Sequence, residues 1–492
     1  MSEQPQTQKR ASDIASASRI VRNTSFLTIS QIISYGESAI YTILVARYLG
    51  AAGLGILNFG VALTAVFGIL STFGLTTLTA RDVARDKGLA SKYVANLIPM
   101  QVLLALATIG LIVAWVNAVG YSQETIIVVY ILSVGIIVNT LSWLLLAIFQ
   151  AFERLEFQSI VWVITSVVPL CGAVIAIQLH LNVVAFALLS LLTAGVQLAY
   201  VYGICVRKFF VPRLEADFTF WKSALIEAWP MAAAAVSMIV FFRIDVVMIS
   251  LIQGTTAVGF YSVAYTLSEA SLIIPTVFIS ALFPVLSKLH KDSKQSFRDT
   301  CAQATKYLVY LALPMAFFVT LWAKPIVSLL YGAAFDPSVA ALQILIWSAA
   351  LMYVSTVLGT ALVAANLQKL NLKLSSLQAA LNIGLNVLLI PEYSYFGASF
   401  ATVVAVACVV PLDLFFLGRN GFALRLRGAS LPAFFGLAVI VAISALLHLS
   451  GVPLTLISIL DLVVYAAIVY KFGLNEQDKR LILSLLKRSG PA

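Results

Sequence analysis

The sequence predicts an all-α polytopic membrane protein of about 14 transmembrane helices, built as two six-helix pseudo-symmetric lobes plus two peripheral helices. Three observations carry that reading. The first is composition: of 492 residues, 61% are hydrophobic and only 11% charged, and the mean hydropathy of +0.99 is far too apolar for a soluble chain of this length. The second is where the positive charge falls. With the N-terminus placed in the cytoplasm, all of the 31 Lys and Arg residues except Arg47, Arg243 and Lys324 lie in inner segments, which sets both the span count and the orientation. The third is an internal repeat. Gly50-Ala-Ala-Gly-Leu-Gly55 recurs as Gly254-Thr-Thr-Ala-Val-Gly259, an offset of 204, and QAFERLEFQ at 150–158 is echoed by AANLQKLNL at 364–372, an offset of 214. Both offsets step by an even number of spans, so the copies share one orientation and are related by an axis along the membrane normal.

Taken in order, residues 1–23 form a polar cytoplasmic tail with no apolar core before a cleavage site, so no signal peptide is expected. The N-lobe follows at 24–206, with spans near 24–48, 54–79, 93–117, 125–149, 158–179 and 183–206. A charged cytoplasmic linker at 207–223 leads to the C-lobe at 224–417, with spans near 224–252, 256–285, 303–322, 338–363, 373–390 and 396–417. Two further spans at 431–449 and 453–471 fall outside the repeat and pack on its periphery. Residues 474–488 read as an amphipathic helix on the inner leaflet, N-capped by Asn475. Both termini are therefore cytoplasmic, and the location is the plasma (inner) membrane.

The net charge of +10 is accounted for by topology and contact with anionic lipid, so no nucleic-acid partner is expected. Cys171, Cys205, Cys301 and Cys408 lack metal-ligand spacing and read as small core residues. No phosphate-binding loop, nucleophile elbow or His/Cys metal cluster is present, so the chain is not read as an enzyme. No cofactor and no metal are expected. The coupling ion, H+ or Na+, is left open.

The chemistry lies in charges placed deep in apolar spans, each of which costs roughly 2.5 to 3.5 kcal/mol on insertion scales and so needs a cavity or a partner. Arg243 and Asp245 sit in one such span; being two apart, they do not face each other on a helix. In the first span Ser34, Glu37 and Tyr41 share one face, and the repeat puts Glu37 on Phe241, beside Arg243. The first helix of each lobe thus carries a charge of opposite sign. Tyr261, Tyr265 and Glu269 form an aromatic and acidic stripe in the eighth span, suited to sugar hydroxyls and ring faces. These residues are the candidate cavity lining, with an ion pair between Glu37 and Arg243 as the purely structural alternative. Pro230 and Pro275 flank the charged pair and are the candidate hinges.

Three stretches carry a family resemblance: ARYLGAAGLGILNFGVA at 46–62, RIDVVMISLIQGTTAVGFYSVAY at 243–265 and LNIGLNVLLIPEYSYFGASFATV at 381–403. With them the chain resembles the polysaccharide transporter family, the Wzx-type flippases of the multidrug, oligosaccharidyl-lipid and polysaccharide exporter superfamily. The resemblance implies two lobes around a central cavity, alternating access, and a substrate made of an isoprenoid tail, a pyrophosphate and a short glycan, moved from the cytoplasmic to the outer leaflet. It implies that Arg243 attracts the pyrophosphate, and that membrane lipids and a polysaccharide polymerase or export machinery are the partners. An ion-coupled multidrug antiporter of the same superfamily and a lipid-linked peptidoglycan precursor flippase are the alternatives.

Overall fold

The computed structural model describes residues 4–424, 427–476, 478 and 479, with side chains for residues 36–424, 431–476, 478 and 479. Helices α1 (Gln4–Thr72), α2 (Leu75–Arg85), α3 (Ala90–Val119), α4 (Gln123–Ala151), α5 (Leu155–Gln178) and α6 (Val183–Lys208) form the first half. The second half holds α7 (Phe218–Gln253), α8 (Thr255–Ser271), α9 (Ile273–Asp292), α10 (Lys294–Tyr331), α11 (Ser338–Ala364) and α12 (Gln368–Leu417). Helices α13 (Arg427–Leu449) and α14 (Leu454–Ile468) follow. Twelve described stretches are long and apolar enough to span a bilayer. Two of them contain a backbone break, at Gly50 in α1 and at Ser394 in α12, and each break divides its stretch into two crossings. Twelve stretches plus these two divisions recover the span count expected from the charge distribution.

The turns show why the halves repeat. Gly50 (φ 65°, ψ −175°) and Gly254 (φ 85°, ψ 172°) both occupy a region of backbone space open essentially to glycine alone. Asp86 and Ser293 end their helices in the same extended conformation. Positive φ recurs at Gly120 and Gly332, at Glu153 and Asn366, and at His180 and Ser394. Around Glu153 the amides of Phe152, Glu153 and Arg154 donate to the carbonyls of Ile148, Gln150 and Phe149. Around Asn366 those of Ala365, Asn366 and Leu367 donate to Ala361, Val363 and Leu362, the same pattern. This pairing aligns 153 with 366, one residue away from the offset of 214 suggested by residue identities, because backbone conformation rather than side-chain type is what the two turns share.

At the first turn the repeat becomes a contact. A Cβ on Gly55 would lie 1.7 Å from the carbonyl oxygen of Thr255, and a Cβ on Gly259 would lie 1.9 Å from that of Ala51. Residues 51 and 255 are equivalent in the repeat, as are 55 and 259, so one backbone approach is made twice about a local two-fold axis. Between lipid-facing helices there is no hydrophobic drive to associate, and close backbone packing through small residues supplies the attraction instead.

The chain divides into two compact units, Met1–Ser262 with Asn386–Tyr395 and Val263–Leu385 with Phe396–Ala492. The first is packed around Leu78, Leu97, Leu145, Phe149, Val201 and Ala228. Its linker between α6 and α7 is pinned to α3, where Asn96 Oδ1 accepts from the Asp217 amide at 2.9 Å. The second is packed around Phe297, Leu308, Ile346, Tyr353, Leu358 and Leu417. Helices α13 and α14 add to α10 through Tyr310, Phe317, Ile440 and Tyr465. Cys205 and Cys301 are buried as expected, but Cys171 and Cys408 are exposed, a correction that fits small apolar side chains on lipid-facing flanks.

The C-terminal segment is tied down at its start. Asn475 Oδ1 accepts from the Asp478 amide at 2.7 Å while the Asp478 carboxylate accepts from the Asn475 amide at 3.1 Å, a reciprocal cap. The same carboxylate takes a hydrogen bond from Lys306 Nζ at 2.7 Å and another from Tyr307 Oη. The remainder of the 474–488 helix lies largely outside the described residues. Burial alone would raise the Asp478 pKa, but the bonds from Lys306, Tyr307 and the Asn475 amide outweigh it and hold the carboxyl below its usual range.

Two outcomes follow. Gly55→Ala and Gly259→Ala should each lower thermal stability in detergent by more than the roughly 1–3 kcal/mol of ordinary overpacking; Gly110→Ala, which meets open space, should be neutral. Equal melting curves for all three variants would remove the two-fold contact from the fold's stability. For the depressed Asp478, the stabilisation is complete above the unfolded-state pKa and is lost as pH falls through the folded-state value. Asp478→Asn should therefore cost about 1.5–3 kcal/mol at neutral pH and progressively less as pH falls below the usual carboxylate range, read as melting temperature against pH; a difference that does not shrink on acidification would show that the charge is not the cause.

Candidate functional site

Helix α7 is the frame. Its N-terminus is capped by the Asp217 carboxylate, which accepts from the amides of Thr219 and Phe220. Pro230 lies inside the helix without breaking it. The αL residue Gly74, at the N-cap of α2, comes so close to this stretch that a Cβ there would lie 2.7 Å from the Ala232 amide nitrogen. Further along, Arg243 is half-buried and Asp245 is 2% exposed.

Asp245 is the centre of a buried polar cluster. Tyr261 Oη on α8 donates to its Oδ2 at 2.7 Å, and Asn386 Nδ2 on α12 donates to its Oδ1 at 2.6 Å. A carboxylate taken out of water is tolerable when both oxygens carry such bonds, and charge-assisted bonds are about twice as strong as neutral ones. The end of α7 is fixed to the same part of α12: Gln253 Nε2 donates to the carbonyl of Ile390 at 3.1 Å, close to the break at Ser394. Sequence spacing brought out Asp245 and Tyr261 but missed Asn386. The signal was present, since Asn382 and Asn386 are one turn apart in an apolar helix and both are fully buried; Asn382 bonds Thr402 Oγ1 at 3.3 Å.

The other candidates are distributed. Glu37 and Tyr41 are half-buried on α1, while the side chain of Ser34 lies outside the described residues. Glu37 Oε2 is buried and has no hydrogen-bond partner among the described residues. Tyr265 and Glu269 are half-buried on α8 in the second unit. Pro275 stands in the first turn of α9, just after the break at Leu272. It leaves the Ser271 carbonyl without its helical donor, and Tyr353 Oη takes that carbonyl at 2.8 Å. Asp461, in peripheral α14, is fully buried and bonded by Ser444 of α13. Its role is to join those two helices.

The first unit also contains a largely apolar groove of about 400 Å³ lined from α1, α4 and α7, with Thr64, Thr72, Asn139, Thr140, Trp143 and Ile239 on its walls. Ile239 is one helical turn from Arg243. Nothing in the apolar periodicity of α4 announced this face.

Helices of this number, with breaks of this kind, define a polytopic helical membrane fold. Solved structures agree: the chain superimposes on the lipid II flippase MurJ in an inward closed conformation with a TM-score of 0.72, at 17% identity, over 90% of this chain and 98% of the other. It matches an inward-facing multidrug resistance MATE family transporter of the MOP superfamily at 0.66 and 16%, over 81% and 98%. The family described as polysaccharide biosynthesis protein matches residues 20–290, and the MatE family matches residues 230–388. The chain belongs to the polysaccharide biosynthesis protein family. Relatives include the probable low-salt glycan biosynthesis flippase Agl15 of Haloferax volcanii, 22% identical over 81% of this chain and 83% of that one. The probable flippase AglR of the same organism is 25% identical over 45% and 51%.

If Asp245 depends on its two donors, Asn386→Leu should destabilise the protein by about 1.5–3 kcal/mol, and Asp245→Asn should recover part of the loss in the Asn386→Leu background because no uncompensated charge is then buried. Melting curves of the four proteins form a double-mutant cycle; simple additivity would show that the two side chains do not depend on each other.

Proposed function

We propose that this protein is a flippase that moves a lipid-linked (isoprenyl pyrophosphate) oligosaccharide from the cytoplasmic to the outer leaflet by alternating access, for polysaccharide biosynthesis or export. The observation that carries the reading is Arg243, a permanent cation half-buried deep in α7 of a chain of this family. An isoprenoid tail is at home in hydrocarbon, and the pyrophosphate is the part that needs help. A guanidinium offers it two parallel donors in a region of low dielectric, where such bonds are strong.

In this reading Arg243 receives the pyrophosphate, and Glu37, Tyr41 and Ser34 form the polar face of α1 along the path. The Glu37 oxygen that has no partner among the described residues suits a contact for the coupling ion during the cycle. Asp245, held by Tyr261 and Asn386, fixes the register of α7 against α8 and α12. Tyr265 and Glu269 supply the aromatic and acidic stripe of α8, and the helices bend at Pro230 and Pro275 as the lobes, 24–206 and 224–417, rock. No cofactor or catalytic residue is required. The protein resides in the plasma membrane with both termini in the cytoplasm, and hands its product to a polymerase or export machinery.

The MatE match over residues 230–388 favours one second reading, an ion-coupled multidrug antiporter. Flipping of a fluorescent lipid-linked sugar pyrophosphate in proteoliposomes decides between them. The wild type should flip it, and Arg243→Ala and Glu37→Gln should reduce the rate by about tenfold or more at equal protein, a loss of roughly 1.4 kcal/mol of barrier stabilisation or greater. Normal flipping by both variants would make the charges structural. Transport of cationic dyes against a proton or sodium gradient, with no movement of the lipid-linked sugar, would replace the flippase with the antiporter.

A further inference from the structure

The groove in the first unit contains a feature that helix packing does not account for. Asn139 is exposed and lies near the middle of the 29-residue α4, where a bilayer offers an amide no partner. Trp143, one turn further on, is 42% exposed and lines the same groove. Across from them, Thr64 Oγ1 donates to the Gly60 carbonyl at 2.8 Å and Thr72 Oγ1 to that of Ile69 at 3.2 Å. Both hydroxyls have therefore placed their protons on the backbone and present lone pairs to the groove. Thr140 is withdrawn from it by a 2.9 Å bond to Ser71.

The groove thus combines a planar apolar surface, an amide with two donors and one acceptor, and two hydroxyl acceptors, in about 400 Å³. Phosphate would find no cation among these lining residues, and an acyl chain would leave the Asn139 amide unsatisfied. A pyranose matches the aromatic and polar elements together: its C–H face packs on an aromatic ring and aliphatic walls, and its rim hydroxyls both donate and accept. The volume accommodates one or two sugar rings. Ile239 on the groove wall and Arg243 are four residues apart on α7, a rise of about 6 Å. That is the scale of the step from a pyrophosphate to its first sugar.

We infer that the groove between α1, α4 and α7 is a glycan subsite, with Trp143 as the stacking platform and Asn139 as the hydroxyl-reading group for the sugars proximal to the pyrophosphate. This rests on the flippase reading and specifies which part of the lipid-linked substrate the protein recognises besides its phosphates.

The test uses purified full-length protein and two synthetic probes, a short-chain isoprenyl pyrophosphate and the same molecule carrying an N-acetylhexosamine disaccharide, with affinities measured by calorimetry. The wild type should bind the glycosylated probe about tenfold more tightly, equivalent to 1.4 kcal/mol. Trp143→Ala and Asn139→Leu should erase that increment without changing affinity for the bare probe, and Trp143→Phe should keep most of it. Equal wild-type affinity for the two probes overturns the subsite but leaves the flippase reading standing; no affinity for either overturns both. A second measurement does not rely on those variants folding well. Asn139→Cys, with the four native cysteines changed to alanine, should react with a hydrophilic, membrane-impermeant thiosulfonate in proteoliposomes and be protected by the glycosylated probe, but not by the bare one. A cysteine that reacts only with lipid-soluble reagents places this face in the bilayer and ends the proposal.

Discussion

In hydrocarbon a backbone carbonyl that loses its helical donor has no water to turn to, and much of this structure follows from that constraint. Pro99, Pro275 and Pro314 each deprive the residue four positions earlier of an amide donor. All three carbonyls are taken up from elsewhere in the fold. The Ala95 carbonyl accepts from the Glu215 amide of the linker at 3.1 Å. Ser271 accepts from Tyr353 Oη, and Tyr310 accepts from Tyr465 Oη at 3.2 Å. The break at Ser394 is treated alike, with Gln253 reaching the Ile390 carbonyl. Each irregularity thereby becomes a cross-link between elements distant in sequence, so a bend at Pro275 has to exchange the Tyr353 bond for another rather than pivot freely.

The same constraint explains the glycines. Two chains that cannot rely on the hydrophobic effect to find each other must meet backbone to backbone, and only a residue without Cβ allows it. The crossing of Gly55 on Thr255 and of Gly259 on Ala51 makes the internal repeat a physical interface. Duplication of one helix turn produced a self-complementary surface, so one sequence motif serves both sides of the contact.

Much of this was legible beforehand because it depends on local pattern. Hydropathy and the placement of Lys and Arg gave the spans, the glycine motif gave the repeat, and Asn475 was recognisable as a cap. What was hidden depends on tertiary partners. Tyr353 and Tyr465 read as ordinary interhelical aromatics until the carbonyls they serve are located. Asn386 stands one turn from Asn382 in an apolar helix, but nothing in its neighbours states that its partner is Asp245, 141 positions away. The echo at 150–158 was read one residue out of step because Glu153 and Asn366 share a backbone conformation rather than a side chain, and Asn adopts the left-handed region more readily. The groove is not legible in the sequence because Asn139 and Trp143 are isolated within α4 and acquire meaning only beside Thr64 and Thr72 of α1.

Satisfaction of polar groups also separates structure from function within the spans. Asp245, Asp461, Asn382 and Ser71 are deep and polar, yet each is bonded to another helix and almost fully buried. Such groups hold the bundle together, and removing any of them is a stability experiment first. Glu37 and Asn139 differ in placement: Glu37 is half-buried on α1 with one oxygen that has no partner among the described residues, a state it shares with Asp461 Oδ1 and Gln101, and Asn139 presents an exposed amide in mid-helix. A buried oxygen left without a partner costs of order 1–3 kcal/mol, and the Glu37 carboxylate carries that cost. Selection retains such a cost where something that comes and goes supplies the missing bond. On the flippase reading, a substrate with a charged head and a hydroxyl-rich glycan would supply it at each turnover, whereas a permanently bound lipid would not.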